Sequence, residues 1–172
     1  QYLKDEKGNL RKGKPLSIIE NFFTQEGTRD LEEIFGKSVF AFPKPKNLIK
    51  YLTSLIINGK QNKEAIILDF FAGSGTTAHA ILELNKEDSG NRKFILCTNN
   101  EDNNGDGLKI ATDICYPRVK KVMQNLEKES KGKLVKNMPG NLKYFCTDFV
   151  DAGSSDKNKR KMVAKSTEML CL

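Results

Sequence analysis

The sequence lacks the features that mark a membrane-spanning or secreted protein. Its 172 residues contain no apolar run that approaches the length of a membrane span, and the first residues, Gln1–Lys7, do not form a signal peptide. Hydrophobic residues make up 38% and charged residues 30% of the chain, which is typical of a soluble globular protein with a sizeable core. We therefore expect a cytoplasmic protein that does not associate with membranes.

The sequence also lacks the residue spacings of a metal site or a disulfide framework. The cysteines, Cys97, Cys115, Cys146 and Cys171, are far apart and include no Cys-x-x-Cys pair. The single histidine, His79, cannot complete a usual zinc spacing with them. We expect reduced thiols and no metal, and we interpret His79 as a residue of a helix surface or groove rather than as a base.

Acidic residues are fewer than basic ones. The chain has 29 lysines and arginines against 22 aspartates and glutamates, a net charge of +7. This balance permits a polyanionic partner but does not identify one. The basic cluster Lys157–Lys161 is interpreted as a solvated tail, followed by a helix around Met162–Leu170.

The most informative stretch combines an apolar run, a glycine turn and the start of a helix. The continuous apolar run Ala65–Leu68 predicts a parallel strand that is covered on both faces. Asp69 follows at the carboxyl end of this strand, the position where open α/β sheets bind their ligands. Gly73 and Gly75 lack a Cβ atom, so the backbone there can adopt positive φ and let a ligand approach the main chain closely.

The residues around the turn predict a βαβ unit. A helix is expected from Thr76 to about Asn85, with Thr76 or Thr77 as its N-cap. A second buried strand is expected at Lys93–Thr98. Strand, helix and strand with short connections are typical of parallel pairing.

Further elements are predicted on both sides of this unit. Thr28–Gly36 predicts a short helix capped by Thr28, and Asn47–Ile57 predicts an amphipathic helix. Ile110–Cys115 predicts a helical turn or two, before a new helix that begins at Pro117. Aromatic and β-branched residues favour a strand at Leu142–Phe149.

Two common ligands fit the glycine turn poorly. A Walker phosphate loop requires a lysine directly after its last glycine, but Thr76 follows Gly75. A dinucleotide fingerprint is matched only in its relaxed form, with Ala78 at the third glycine position, and Asp69 would repel the pyrophosphate. The carboxylate suits a ligand with a cationic amino-acid end and an adenosine, namely S-adenosylmethionine. The alternative is a structural turn in which Asp69 is only a cap.

The segment Asp69–Thr77 resembles the S-adenosylmethionine motif of amino-DNA methyltransferases in which target recognition precedes cofactor binding. Phe40–Pro45, followed by the apolar helix from Leu48, is similar to the segment that precedes this motif in that class. Together with Thr77–Asn85 and Asn91–Leu96, these residues resemble the adenine-specific modification subunit of type III restriction systems.

The resemblance implies a partial three-layer, Rossmann-like methyltransferase fold with a parallel-rich sheet, and methyl transfer to adenine N6. Asp69 would hold the methionine end of the cofactor. An acidic residue that often holds the ribose in this family is replaced by Thr98 and Asn99, with Glu101 slightly later. The residues assigned to the cofactor are Phe42, Lys44, Pro45, Asp69, Phe70, Phe71, Ala72, Gly73, Ser74, Gly75, Thr76, Thr98 and Asn99.

The catalytic Asp-Pro-Pro-Tyr motif of the resembled family is absent. The nearest string, Asn137–Gly140, predicts a turn. We therefore expect no catalytic residue in this chain, a catalytic motif that lies upstream, and a C-terminal fragment that is inactive alone. Residues 1–27 would be a lead-in or the end of a recognition region, 28–150 the cofactor-binding half-domain, and 151–172 a basic tail with a short helix.

The resemblance also implies partners. These are double-stranded DNA, bound through the full-length protein, a restriction subunit and a second modification subunit. Two alternatives stay open from the sequence. One is a non-catalytic cofactor-binding or DNA-positioning module that assembles with a separate chain, and the other is a methyltransferase that acts on RNA.

Overall fold

The computed structural model describes residues 18–57, 62–102, 105–129, 141–147, 150–151, 153 and 155–170. The chain divides into two compact units, residues 1–142 and 143–172. The predicted lead-in up to residue 17, the predicted turn Asn137–Gly140 and Cys171 lie outside the described residues. No helix in the described ranges is long and apolar enough to cross a membrane.

The first helix, α1, spans Thr24–Phe35. It begins four residues before the predicted start, so Thr28 lies inside the helix and its predicted role as the N-cap is wrong. Phe23 occupies the N-cap with an extended backbone and without a side-chain hydrogen bond. The predicted stop is confirmed, because Gly36 adopts φ 74° and its N–H donates to the carbonyl of Glu32.

The second helix, α2, spans Lys46–Ile56, within one residue of its predicted bounds. Pro45 occupies the N-cap with φ −62° and ψ 130°. Proline suits this place because its ring sets φ and a helix N-terminus does not need its missing N–H.

The predicted βαβ unit is confirmed. Strand β1 spans Ile66–Asp69, helix α3 spans Thr76–Asp88, and strand β2 spans Lys93–Leu96. The strands pair in parallel, from Ile66 with Lys93 to Asp69 with Leu96. Helix α3 runs three residues further than predicted. Its N-cap is Gly75 with φ 78° and no side-chain bond, so the predicted capping by a threonine is wrong.

The two-stranded sheet is covered on one face within the described part of the chain. Side chains alternate along a strand, and on one face Ile66, Leu68 and Ile95 are 64%, 51% and 52% exposed. On the other face, Phe94 and Leu96 pack against the core. This core consists of Ala78, Leu82, Val119, Val122 and Leu126. The prediction that β1 is covered on both faces is wrong for the described part of the chain, because the described helices pack on one side only. The predicted burial of β2 is correspondingly incomplete, since Ile95 is exposed.

A π-helical turn, Ile110–Cys115, leads directly into helix α4, Tyr116–Glu129. Pro117 is therefore the second residue of α4. Asn100 fixes the start of the π-helical turn, because its Oδ1 accepts hydrogen bonds from the N–H groups of Ala111 and Thr112 at 3.1 Å each.

Two predictions near the C-terminus are corrected. Of the predicted strand Leu142–Phe149, the described residues 142–147 form no strand, and residues 148–149 lie outside the described residues. The sheet found in the described part of the chain pairs β1 with β2, and β propensity without a paired strand does not form a ladder. In the second unit, α5 spans Asp156–Leu170, so the helix begins six residues before its predicted start and includes the basic cluster Lys157–Lys161, whose basic side chains are exposed as predicted.

Candidate functional site

A groove of about 190 Å³ lies where β1 ends. One wall is the segment that leads into α2, and the other is the loop between β1 and α3. The side chain of Thr76 joins the two walls, because its hydroxyl donates to the carbonyl of Lys44 at 3.3 Å. The lining residues are Phe40, Phe42, Lys44, Ile49, Asp69, Phe71, Ala72, Gly73, Ser74, Thr76 and Thr77.

Most of the residues predicted to contact a cofactor meet in this groove. Those that do not line it are Pro45, Phe70, Gly75, Thr98 and Asn99. Phe40, Ile49 and Thr77 line it without having been predicted. Phe40 and Thr77 lie within the two quoted motifs, whereas Ile49 belongs to a helical apolar pattern that indicates only packing.

Asp69 is held in a fixed orientation inside the groove. Its Oδ1 accepts the N–H of Phe71 at 3.0 Å, and its Oδ2 accepts the hydroxyl of Thr77 at 2.5 Å. None of the ion pairs between described residues includes Asp69. The groove therefore presents a carboxylate that is positioned by neutral donors and available to a cationic ligand group.

The two glycines of the loop serve different purposes. A Cβ atom on Gly75 would lie 3.1 Å from Sγ of Cys115, so the absence of a side chain lets the loop pack closely against the π-helical turn, and φ is 78° at this glycine. Gly73, with φ 50°, lines the groove, and a Cβ atom there would be no nearer than 3.4 Å to Phe40. Among the described residues, the N–H groups of Gly73 and Ser74 have no acceptor. They are available to donate to a ligand.

Strand pairing continues beyond β1 and β2 and brings their following loops together. Cys97 donates to the carbonyl of Asp69 at 2.8 Å, and Ala72 donates to the carbonyl of Cys97 at 3.1 Å. The segment that starts with Thr98 and Asn99 therefore lies beside the glycine loop, although these two residues do not line the groove. The Asn99 amide donates to the Glu101 carboxylate at 2.8 Å.

Three phenylalanines near the groove are exposed. Phe42 and Phe71 line it and are 83% and 94% exposed, and Phe70 is 65% exposed. Aromatic side chains with this degree of exposure have ring faces available for stacking on a planar ligand.

A buried arginine that the sequence reading missed supports the glycine loop. Arg118 of α4 is fully buried. Its Nη1 donates to the carbonyl and hydroxyl of Ser74 at 3.3 and 3.0 Å, and to the hydroxyl of Thr76 at 2.9 Å. Arg118 lies four residues after Ile114 and four residues before Val122, so it falls on the apolar side of the helical segment. A charged residue on an apolar side is unusual, and this pattern could have identified Arg118 from the sequence.

His79 connects this arginine to a cluster of charged residues on the helices. The prediction that His79 lies on a helix surface or in a groove is wrong, since it is 6% exposed and does not line the groove. Its Nδ1 lies 3.3 Å from Nη2 of Arg118, and its Nε2 lies 3.2 Å from Oε1 of Glu83. Arginine only donates, so Nδ1 accepts and Nε2 carries the proton of a neutral ring. Glu83 also pairs with Lys46 at 2.8 Å.

The surroundings shift the pKa values of this cluster. Burial lowers the pKa of His79 below its ordinary value of 6.5. The hydrogen bond with Glu83 opposes this shift, but the charges of Arg118 and Lys46 add to it, and the pKa stays lowered. Burial alone would raise the pKa of Glu83, but hydrogen bonds from His79 and Lys46 outweigh it and hold that pKa well below 4.5. The folded protein therefore favours neutral His79 beside ionised Glu83.

Stability is expected to fall as the pH drops below about 6.5, because the unfolded state then protonates His79 while the folded state does not. A second loss follows below about 4.5, where unfolded Glu83 takes up a proton. His79 is the chain's single histidine, so the loss of stability below about pH 6.5 can be assigned to its protonation in the unfolded state. Urea unfolding between pH 8 and pH 5 measures it, with His79→Gln as the control that lacks this slope. Equal slopes in both proteins would contradict the assignment.

The fold is a mixed helix and strand arrangement with a small parallel sheet, and the groove lies at the carboxyl end of one of its strands. The chain belongs to the DNA methylase family, which it matches over residues 3–103, more than half of its length. This confirms the recognition made from the glycine motif. The matched range ends before the π-helical turn and α4, so it does not include Arg118.

Similar proteins include Mod subunits of type III restriction-modification enzymes and a type II methyltransferase. The chain is 51% identical over 74 residues to the StyLTI Mod subunit, a type III restriction-modification enzyme of Salmonella typhimurium. It is 50% identical over 80 residues to the type II methyltransferase M.KpnI of Klebsiella pneumoniae, and 43% identical over 96 residues to the type III EcoPI Mod subunit of Escherichia phage P1. These alignments cover 43%, 46% and 55% of the chain, and 11%, 18% and 14% of the relatives. The chain thus spans less than a fifth of each.

Proposed function

We propose that this chain is the cofactor-binding part of a site-specific DNA methyltransferase that transfers a methyl group from S-adenosylmethionine to adenine N6. Family membership and the similarity to type III Mod subunits support the class of enzyme. The observation that carries the cofactor assignment is the Asp69 carboxylate, which is oriented in the groove and has no cationic partner among the described residues.

The groove fits a ligand with both charges of an amino acid at one end. Asp69 would bind the ammonium group, and the N–H groups of Gly73 and Ser74 would donate to the carboxylate. The adjoining N-terminus of α3 also favours negative charge. S-adenosylmethionine supplies the activated methyl group when it is bound.

The remaining parts of the cofactor require contacts outside the groove. A groove of about 190 Å³ is smaller than the pockets of about 300–1,000 Å³ that enclose small-molecule ligands. The aromatic faces of Phe42 and Phe71 would stack on adenine, and Thr98 or Asn99 would bind the ribose. The partial three-layer Rossmann-like fold belongs to the same proposal, since the small parallel sheet and the glycine loop support it.

Catalysis requires residues that this chain does not carry. Methylation of an exocyclic amine needs the base flipped out of the duplex and its amino group hydrogen-bonded. The chain has no Asp-Pro-Pro-Tyr motif for this purpose. We propose that the motif lies upstream in a longer protein, that this chain alone does not methylate DNA, and that the longer protein binds double-stranded DNA, a restriction subunit and a second modification subunit. A cytoplasmic location stays a prediction.

The two alternatives predict different results. A methyltransferase that acts on RNA would have a different recognition region in the longer protein. A non-catalytic module would bind the cofactor and require a separate chain for activity. Sequencing the gene upstream of Gln1 separates both from our proposal, because an Asp-Pro-Pro-Tyr motif before a recognition region is expected only for the DNA enzyme.

Asp69→Asn is expected to weaken binding of S-adenosylhomocysteine about ten- to hundredfold, because a hydrogen bond to a charged group contributes about 1.5–3 kcal/mol. Isothermal titration calorimetry measures the affinity. Asparagine keeps an oxygen that can accept the N–H of Phe71, so the loop is expected to retain its shape. Asp156→Asn is the matched control, because Asp156 is an exposed carboxylate in α5 and its removal changes the net charge equally.

Equal affinity of the wild type and Asp69→Asn would remove the role assigned to this carboxylate. Tight binding of NAD by the wild type without any affinity for S-adenosylhomocysteine would reject the cofactor assignment as a whole.

A further inference from the structure

We propose that Arg118 is a positioning residue, which holds the glycine loop in its ligand-binding conformation from behind. This inference rests on the proposed function, because it assumes that the loop binds the cofactor. Arg118 does not line the groove and would not touch the ligand. It would act through Ser74 and Thr76, both of which line the groove and accept its hydrogen bonds.

The loop needs such a support because of its own sequence. Ser74 lies between Gly73 and Gly75, which adopt φ values of 50° and 78°. Glycine has more conformational freedom than any other residue, so a glycine on each side leaves the intervening peptide weakly restrained. Nη1 of Arg118 contacts both the carbonyl and the hydroxyl of this serine. It thereby restrains the part of the loop that local sequence leaves free.

The arginine is not placed there for an ion pair. None of the ion pairs among the described residues includes Arg118. Burial lowers its pKa to about 10, and its buried Nε has no hydrogen-bond partner among the described residues. Replacing buried charged residues with apolar residues of similar volume often leaves the stability of a protein unchanged or increases it. What an apolar residue would not supply is the set of bonds from the guanidinium to the loop.

The second nitrogen of the guanidinium extends this support to the other wall of the groove. Nη2 contacts His79, which contacts Glu83, and Glu83 pairs with Lys46. Lys46 is the first residue of α2 and follows the wall segment that ends at Pro45. Its N–H donates to the carboxylate of Asp30 in α1 at 3.1 Å. One chain of contacts therefore links the glycine loop to the start of α2.

The test compares two variants of α4. Arg118→Met keeps an unbranched side chain but removes the donors and the charge, and it is expected to weaken binding of S-adenosylhomocysteine at least about tenfold. Val122→Ala, one turn further along α4 in the core, is the control for lost stability. It is expected to lower the melting temperature and to leave the affinity within about twofold. Calorimetry is carried out at a temperature at which circular dichroism shows every variant to be folded.

A conservative variant and a ligand-free measurement complete the test. Arg118→Lys keeps the charge and can donate to Ser74, so part of the affinity is expected to return. The amide of Gly75 donates to the carbonyl of Ala72 at 2.8 Å. Its hydrogen exchange is expected to accelerate in Arg118→Met and not in Val122→Ala. Because exchange needs no ligand, it tests the support of the loop even if the wild type binds no S-adenosylhomocysteine, a result that would reject only the proposed function.

Three results would overturn the proposal. The first is unchanged affinity in Arg118→Met. The second is that both Arg118→Met and Val122→Ala lose affinity in proportion to the stability that each loses. The third is unchanged exchange at Gly75. If Arg118→Met does not fold, a double-mutant cycle of Ser74→Ala and Arg118→Lys replaces it. We expect non-additive effects on affinity, and additive effects would count against the proposal.

Discussion

Leu82→Ala is expected to lower the free energy of unfolding by about 2–5 kcal/mol. Leu82 of α3 is 2% exposed and packs in the core with Val119 and Val122 of α4. Truncation removes buried methyl groups and leaves a cavity, which α3 and α4 can close only in part. Urea unfolding followed by circular dichroism measures the change.

Leu68→Ala is the matched control, because the same substitution is made in β1 on the face that the described helices leave open. Leu68 is 51% exposed, and we expect a loss within about 1 kcal/mol. Similar losses at both positions would show that Leu68 is covered in solution, as the apolar run Ala65–Leu68 predicts from the sequence.

Gly75→Ala is expected to lower the free energy of unfolding by about 2–5 kcal/mol, for two reasons that add. A left-handed backbone costs a residue with a side chain about 1–2 kcal/mol, and overpacking costs about 1–3 kcal/mol. Gly75 adopts φ 78°, and its new Cβ atom would lie 3.1 Å from Sγ and 3.4 Å from the carbonyl oxygen of Cys115. Urea unfolding again provides the measurement.

Gly36→Ala separates the two contributions. Gly36 adopts φ 74°, but a Cβ atom there would meet nothing within 4 Å. Only the backbone cost of about 1–2 kcal/mol is therefore expected. If the two variants lose the same stability, the contact with Cys115 does not matter, and Gly75 is required for its backbone conformation alone.

The parts of the fold that follow from contiguous residues could be predicted from the sequence. The bounds of α2, the βαβ unit and the glycine loop depend on local periodicity, on proline and glycine geometry, and on short connections. Membership of the DNA methylase family could also be predicted from contiguous residues. The residues that carry the recognition, Asp69–Thr77, are adjacent in the chain, and a match over residues 3–103 confirms it.

Predictions that depended on partners distant in the chain were less successful. The threonine hydroxyls after Gly75 favour an N-cap by local rules, but Thr76 binds Lys44 and Arg118 while Thr77 binds Asp69. An apolar strand is equally compatible with one or two covered faces. The helices that pack against it decide which of these occurs.

The sequence by itself determined the class of this protein and the place of its candidate site. A strand, a glycine turn and a helix start are local structures whose causes lie within about a dozen residues. Only the tertiary structure decided which groups meet there. It turned the hydroxyls of Ser74 and Thr76 toward a buried arginine more than 40 residues away, because a buried guanidinium must find acceptors wherever the fold provides them.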